Sequence, residues 1–280
     1  MKWKNLLISI YKVISLVYNF IFGRKATQKI NHVLFSLSLS AKGYNNYGSF
    51  NKTGEKNFIK SIADDLKLSL DIGANIGSYT LLLAEETNSD IISFEPLEEA
   101  FKTLQKNSSK FPERIKAFNI ALGDKKKEEY INFSDGTSEK ATFLNEYDKL
   151  SFFETKNKKQ KLININTLDE FVFQNENIIK KKIDFIKIDT EGYELEVIKG
   201  SKKVIEQNQP KYIQIEFNVH QLFKNHTIYE FSKYLNNYQL FQILPFGKKL
   251  LKVNPEKAET NIFHLTNFVY IRSDLSNKFK

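Results

Sequence analysis

The chain has 280 residues, of which 41% are hydrophobic and 27% charged, and 42 Lys and Arg outweigh 33 Asp and Glu for a net charge of +9. That balance supports a folded core and excludes a disordered chain. With no cysteine, disulfides, thiolate metal sites and a cysteine nucleophile are excluded, and a reducing, cytoplasmic setting is expected.

The first element is "NLLISIYKVISLVYNFIF", residues 5–22. Asn5, Ser9, Lys12, Ser15 and Asn19 recur at spacings of 4, 3, 3 and 4. They make one polar stripe on a helix that is otherwise apolar. Lys12 would be costly inside a bilayer, and "FGRK" is a poor signal-peptidase site. Eight cations, Lys2, Lys4, Lys12, Arg24, Lys25, Lys29, Lys42 and Lys52, precede the first acid, Glu55, so this end holds +8 and the remainder +1. Such asymmetry points to an acidic partner for one end, not to a nucleic acid bound by the whole protein. Residues 1–54 therefore read as a basic amphipathic helical extension, and residues 55–280 as the main domain. The extension either packs on the core or a second subunit, or lies peripherally on an anionic membrane at its inner face, with contact through residues 1–25. Oligomeric state is left open.

Residues 43–54 are turn-rich and read as a loop. A helix is expected over 55–66, a buried strand in "LKLSLDIG", and a helix over 78–86. "DIISFEP" is a second strand stopped by Pro96, "LEEAFKTLQKN" a helix, and "RIKAFNIALGD" a third strand with its exit. Residues 124–160 break the rhythm with short strands and loops. "KLININTLDEFV" is a strand and a helix capped by Thr167. "IDFIKID" is a strand, "YELEVIKGSKKVIEQN" an amphipathic helix, and "KYIQIEF" a strand. A helix near 228–235 and strands near 238–244 and 263–272 follow. Strands alternating with helices imply a parallel sheet covered on both faces. In such sheets ligands sit at the carboxyl ends of the strands, here Asp71, Glu95, Asn119 to Ala121, Asp189 and Glu216.

Gly73 and Gly77 allow a sharp turn after the first strand, and Asn75 tolerates the same backbone angles. Glu95 lies 24 residues beyond Asp71, where a carboxylate meets a ribose diol in nucleotide folds. A dinucleotide would want three spaced glycines and no acid beside its pyrophosphate. Here the spacing is G-x-x-x-G and Asp71 adjoins it. Both features suit a cationic adenosine ligand, S-adenosylmethionine.

"LDIGANIGSYTLLLA", "ISFEPLEEAFKTLQKN", "NIALGD", "NTLDEF", "IDFIKIDTEGYELEVIKGS" and "IQIEF" occur in this order. Together they resemble the FkbM family of S-adenosylmethionine-dependent methyltransferases, from about Gly54 to Arg272. The resemblance implies a class I, Rossmann-like α/β fold: a mostly parallel seven-stranded sheet with helices on both faces. It also implies methyl transfer to oxygen, commonly on a sugar. In bacteria this suggests polysaccharide biosynthesis, with a sugar or glycolipid acceptor. Asp71, Gly73, Asn75, Gly77, Glu95, Asn119 and Ala121 are then the cofactor-binding candidates.

A hydroxyl acceptor must lose a proton, so a general base is needed. Asp189, Glu191, Glu216 and His220 are the catalytic candidates. Asp189 comes first, because in class I methyltransferases its position faces the methyl group. Asp189 and Glu191 also have a structural reading as caps of the next helix, and His220 as a core histidine. The four could hold a divalent cation, but the ligand spacing does not favour a metal. Phe143, Tyr147, Phe152 and Phe153 are expected either in the acceptor wall or in a hairpin core. A nicotinamide-dependent oxidoreductase and a non-catalytic membrane-associated scaffold with the same fold are the competing readings.

Overall fold

The structure, a computed structural model, describes residues 2–134, 137–143, 158–176, 181–247 and 250–279. Tyr147, Phe152 and Phe153 lie outside the described residues.

The first strand, β1 (Leu68–Ile72), is buried at every position. An apolar strand buried on both faces is the mark of a central parallel strand. It pairs in parallel with β2 (Asp90–Phe94) on one side and β8 (Phe185–Ile188) on the other. Outside β2 lies β3 (Ile115–Phe118), and outside β8 lies β9 (Tyr212–Phe217), both parallel. Then come β12 (Thr266–Arg272), β10 (Tyr238–Gln242) and β11 (Leu251–Lys252), each antiparallel to its neighbour. The order is β11-β10-β12-β9-β8-β1-β2-β3. The main sheet thus has eight strands where seven were expected. The extra one is a two-residue edge strand, too short to leave a pattern in sequence.

The chain runs outward from β1 to β3 and returns at β8. This reversal opens a crevice at the carboxyl ends of β1 and β8, where open α/β sheets bind ligands. Helices cover both faces. One core cluster packs Phe58, Ile59 and Ile62 of α4 (Glu55–Ile62) with Leu82 and Leu83 of α5 (Ser78–Glu86). A second, on the opposite face, packs Leu168 and Phe171 of α7 (Leu168–Gln174) with Leu195 and Ile198 of α8 (Glu194–Lys199). Helix α6 (Glu98–Ser108) lies between β2 and β3 and buries Ala100 and Leu104. The Thr167 side chain caps α7, accepting from the Glu170 amide at 3.0 Å.

Two junctions lie where the sequence did not place them. "RIKAFNIALGD" is a third strand with its exit, as expected, but the exit opens a second sheet. β3 ends at Phe118, where Asn119 Nδ2 donates to the carbonyls of Glu95 and Pro96. Ala121–Leu122 then forms β4 of a second sheet, ordered β4-β7-β5-β6 with β5 (Lys127–Ser134), β6 (Thr137–Thr142) and β7 (Lys158–Asn166). Likewise "YELEVIKGSKKVIEQN" is two helices, α8 and α9 (Lys202–Asn208). They part at Gly200, where an added Cβ would stand 1.8 Å from the Gly123 carbonyl oxygen. The close approach of the second sheet requires that glycine.

At the N-terminus, α1 (Lys2–Phe22) and α2 (Gln28–Ala41) form a bent pair. Neither buries a side chain until Leu39 among residues 6–41. Leu39 and Tyr44 join the main core, while α1 keeps its side chains exposed from Leu6 to Ile21 apart from the half-buried Ser15. Short helices α3 (Phe50–Thr53), α10 (His220–Lys224) and α11 (Ile228–Tyr234) complete the chain.

Candidate active site

At the end of β1 the amides of Gly73 and Ala74 both donate to the Phe94 carbonyl, at 3.0 and 2.9 Å. The chain then turns through left-handed backbone at Gly73 (φ 83°), Asn75 (φ 50°) and Gly77 (φ 89°). A Cβ on Gly73 would lie 1.8 Å from the Asp189 carbonyl oxygen, so the turn seats itself against the end of β8. Gly77 similarly meets Leu104 of α6. The turn, Glu95, Asp189 and Glu216 surround a cavity of about 370 Å³.

Glu95 is buried, and its two oxygens accept from the amides of Asn75 (2.9 Å) and Leu97 (2.8 Å). Burial pushes its carboxyl up to about 7 against those bonds. Asp71 faces α5, where Thr80 Oγ1 donates to it at 2.6 Å, and burial pushes it up to about 6. Both acids line the cavity, and so do Gly73, Asn75 and Ala121. Asn119 instead braces the wall from behind through the bonds that end β3. Phe94, Ile120, Leu122, Ile131 and Phe143 supply apolar lining. A polar turn with acids at one side and an apolar slot at the other fits an amino acid joined to an adenosine.

Behind the acids runs a polar row set by strand register: Ser93, Asp71, Lys187 and Gln214 are successive neighbours across β2, β1, β8 and β9. Lys187 is buried and donates to Asp189 Oδ2 at 2.9 Å. Burial alone would lower its ammonium, but the charges of Asp189, Glu55 and Glu216 reverse this and raise it. The lysine is therefore a fixed cation beneath the site. Gln214 links the row to Glu55 and to Tyr79, at 2.8 and 2.6 Å.

Asp189, Glu191 and Glu216 each place an oxygen within 4.8 Å of the others. Burial, then mutual repulsion, pushes Glu191 well up and Glu216 to about 8. Asn218 Nδ2 bridges the two, at 3.2 Å from Glu191 and 3.0 Å from Glu216. Glu191 also sits at φ 51°, a strained conformation for a non-glycine residue that recurs at functional sites. The three oxygens are a donor set that a hard divalent cation accepts, and the Lys187 ammonium already lies on one of these acids, Asp189. His220 does not line the cavity. It is buried behind the cluster, its Nδ1 2.7 Å from Asn218 Oδ1 and 3.2 Å from Glu191 Oε2. Burial pushes it down to about 4, so it is neutral at pH 7. Neither Asp189 nor Glu191 caps the next helix, which has no side-chain cap; Glu194 instead closes the turn before it, accepting from the amides of Thr190 and Gly192.

Sequence reasoning missed the strap over residues 43–50. Asn46, Tyr47, Gly48 and Phe50 line the cavity, as do Glu55 and Asn267. These residues are far from the motifs in sequence. The one available signal was Glu55, the first acid after a long acid-free stretch.

A crevice at the β1–β8 switch, a glycine turn and two strand-end acids define a class I methyltransferase site. Over residues 71–242 the chain matches the methyltransferase FkbM domain. It belongs to that family, and so to the S-adenosylmethionine-dependent methyltransferases. It is also 33% identical over 70 residues to AMB antimetabolite synthetase AmbE of Pseudomonas aeruginosa, of whose length the match spans 3%. Among solved structures it is similar to an O-methyltransferase from Bacillus cereus in complex with SAH, with 12% identity, TM-score 0.43, and 93% and 97% of the two chains covered. An rRNA methylase from Streptococcus thermophilus is similar at 10% identity, TM-score 0.41, and 78% and 93% covered.

Proposed function

We propose that the chain moves a methyl group from S-adenosylmethionine to a hydroxyl of a sugar, in surface glycan or glycolipid biosynthesis. The observation that carries this reading is the carboxylate cluster at the ends of β8 and β9, which shares the cavity with the glycine turn. Bound S-adenosylmethionine supplies an activated methyl, so positioning accounts for much of the rate. The acceptor hydroxyl still carries a proton, and Asp189 takes it. Its side chain is 33% exposed, and Lys187 holds one of its oxygens. Glu216, pushed to about 8, carries a proton near neutrality and can donate a hydrogen bond to an acceptor oxygen, and burial and the neighbouring acids push Glu191 in the same direction. His220 orients Glu191 through the contacts described. Tyr47, exposed in the cavity lining, offers a ring to a sugar, while Phe143 lines the cavity from a buried place against Tyr193. The lack of cysteine supports a cytoplasmic setting. Family membership disfavours the nicotinamide reading.

The test is calorimetric titration of S-adenosylmethionine into the wild-type protein and Glu95→Ala, followed by acceptor screening for S-adenosylhomocysteine release. Micromolar binding by the wild type, at least ~10-fold weaker in the variant, is expected because two turn amides lose their acceptor. Binding without turnover on any sugar, nucleotide sugar or glycolipid would defeat the acceptor assignment and favour a scaffold.

A further inference from the structure

The cavity leaves one large feature unused, the helix pair at the N-terminus. From Leu6 to Ile21 every side chain except the half-buried Ser15 is exposed. Leu16 and Phe20 are 72% and 75% exposed, and Val33, Phe35 and Leu37 continue the apolar surface on α2. The elbow between the helices is built, not frayed. Tyr18 donates to Asn31 Oδ1 at 2.7 Å, and Asn31 Nδ2 and Thr27 Oγ1 both donate to the Phe22 carbonyl. The helices bend by 97° there.

We infer that residues 2–41 are a docking surface for an anionic membrane, lying in its head-group layer. The inference goes beyond the methyl-transfer reading and does not depend on it. Three observations favour lipid over a second copy of the chain. First, apolar residues cover roughly two thirds of the α1 circumference. A partner helix would cover one face and leave the rest wet, whereas acyl chains cover the whole arc. Second, the remaining arc is the stripe of Asn5, Ser9, Lys12, Ser15 and Asn19, and the cations Arg24 and Lys25 sit at the elbow with Lys29 in the next turn. No acid offsets them before Glu55. This charge is complementary to anionic head groups and repels a second copy of itself. Third, among the described residues no single helix is long and apolar enough to cross a membrane; the bent pair has the length and composition only as a span broken by 97°, which would carry Lys12 and the elbow cations into the bilayer, while lying flat keeps its polar stripe toward water. Beyond α2, Leu39 and Tyr44 anchor the chain in the core and the strap runs on into the cavity wall. The docked surface is thus joined directly to the site.

Co-sedimentation of the full chain with vesicles tests the inference, using phosphatidylcholine alone and with about a third phosphatidylglycerol. Binding should appear with the anionic vesicles and weaken with salt. Arg24→Gln with Lys25→Gln should weaken it ~25-fold, about five-fold for each charge removed. Phe20→Asp with Leu16→Asp should abolish it. These positions bury nothing in the core, so melting temperature and S-adenosylmethionine binding should be unchanged in each variant, which separates lost docking from misfolding. A folded wild type that ignores anionic vesicles overturns the inference. So does equal, salt-insensitive binding to neutral vesicles, and so does a solution dimer that Phe20→Asp dissociates in the absence of vesicle binding.

Discussion

At the scale of single residues, chemistry is divided among acids that look alike in sequence. Glu95 is committed to two backbone amides, Asp71 to Thr80, and Glu194 to its own turn. Asp189 alone combines partial exposure to the cavity with a buried cation on one oxygen. Asp189→Asn keeps the shape and removes the base. We expect kcat to fall by about 10² to 10⁴, with KM for S-adenosylmethionine changed less than about three-fold, because only the transition-state role is lost. Steady-state kinetics on the identified acceptor checks this, and a kcat within about five-fold of wild type would reassign the base. Asp71, Glu95, Asp189 and Glu216 were legible, because each stands at or beside the end of an apolar strand, whereas Glu194 in α8 was not. Their division of labour was not. It depends on Lys187, Asn218 and Gln214, which meet them only through register and loop closure. His220 illustrates the limit: an ordinary imidazole made it a candidate base and a lone histidine a core residue, and it is the core position that α10 gives it, buried against Asn218.

At the scale of elements, strands and helices with clear periodicity were readable, and their junctions were only partly so. The breaks at Phe118 and Gly200 come from tertiary contacts, a side-chain amide on a neighbouring loop in one case and a carbonyl of the second sheet in the other. Gly200 after Lys199 carries a helix-stop signal, whereas no local pattern announces the break at Phe118. The strap over 43–50 is the clearest example. Its glycines and asparagines signalled a loop, while its place in the cavity wall follows from Tyr44, which is buried and donates to the Glu259 carbonyl at 2.7 Å. Tyr44→Ala opens a cavity and removes that bond. The expected cost is about 3–5 kcal/mol of folding stability. Because Asn46 and Tyr47 follow directly, cofactor affinity should fall as well. Urea unfolding and calorimetry measure the two effects. A large loss of stability with unchanged affinity would show that the strap does not support the site.

For the whole molecule, the buried acids set the response to pH. Glu95, Glu194 and Glu216 are pushed by burial to about 7, 7 and 8 from an ordinary 4.5. An acid whose folded value exceeds its unfolded one holds its proton longer in the native state. Native protein therefore binds more protons between the two values, and stability falls as pH rises through that window. His220 and His226 act oppositely, since burial pushes both to about 4 from 6.5. Their contribution raises stability from pH 4 to pH 6.5 and is constant above. Between pH 6.5 and 8.5 only the acids titrate, so ligand-free protein should lose thermal stability, on the order of 5 °C in melting temperature. Glu216→Gln removes the highest of the three titrations and should make the decline shallower. Differential scanning fluorimetry across this range, in the wild type and the variant, decides the matter. A flat or rising profile would mean that the cluster is neutralised by something other than its own protons, and a bound cation would then be the first alternative to test. A decline unaffected by Glu216→Gln would move the responsible titration to the other raised acids, Glu95, Glu194 and Glu191, away from the end of β9.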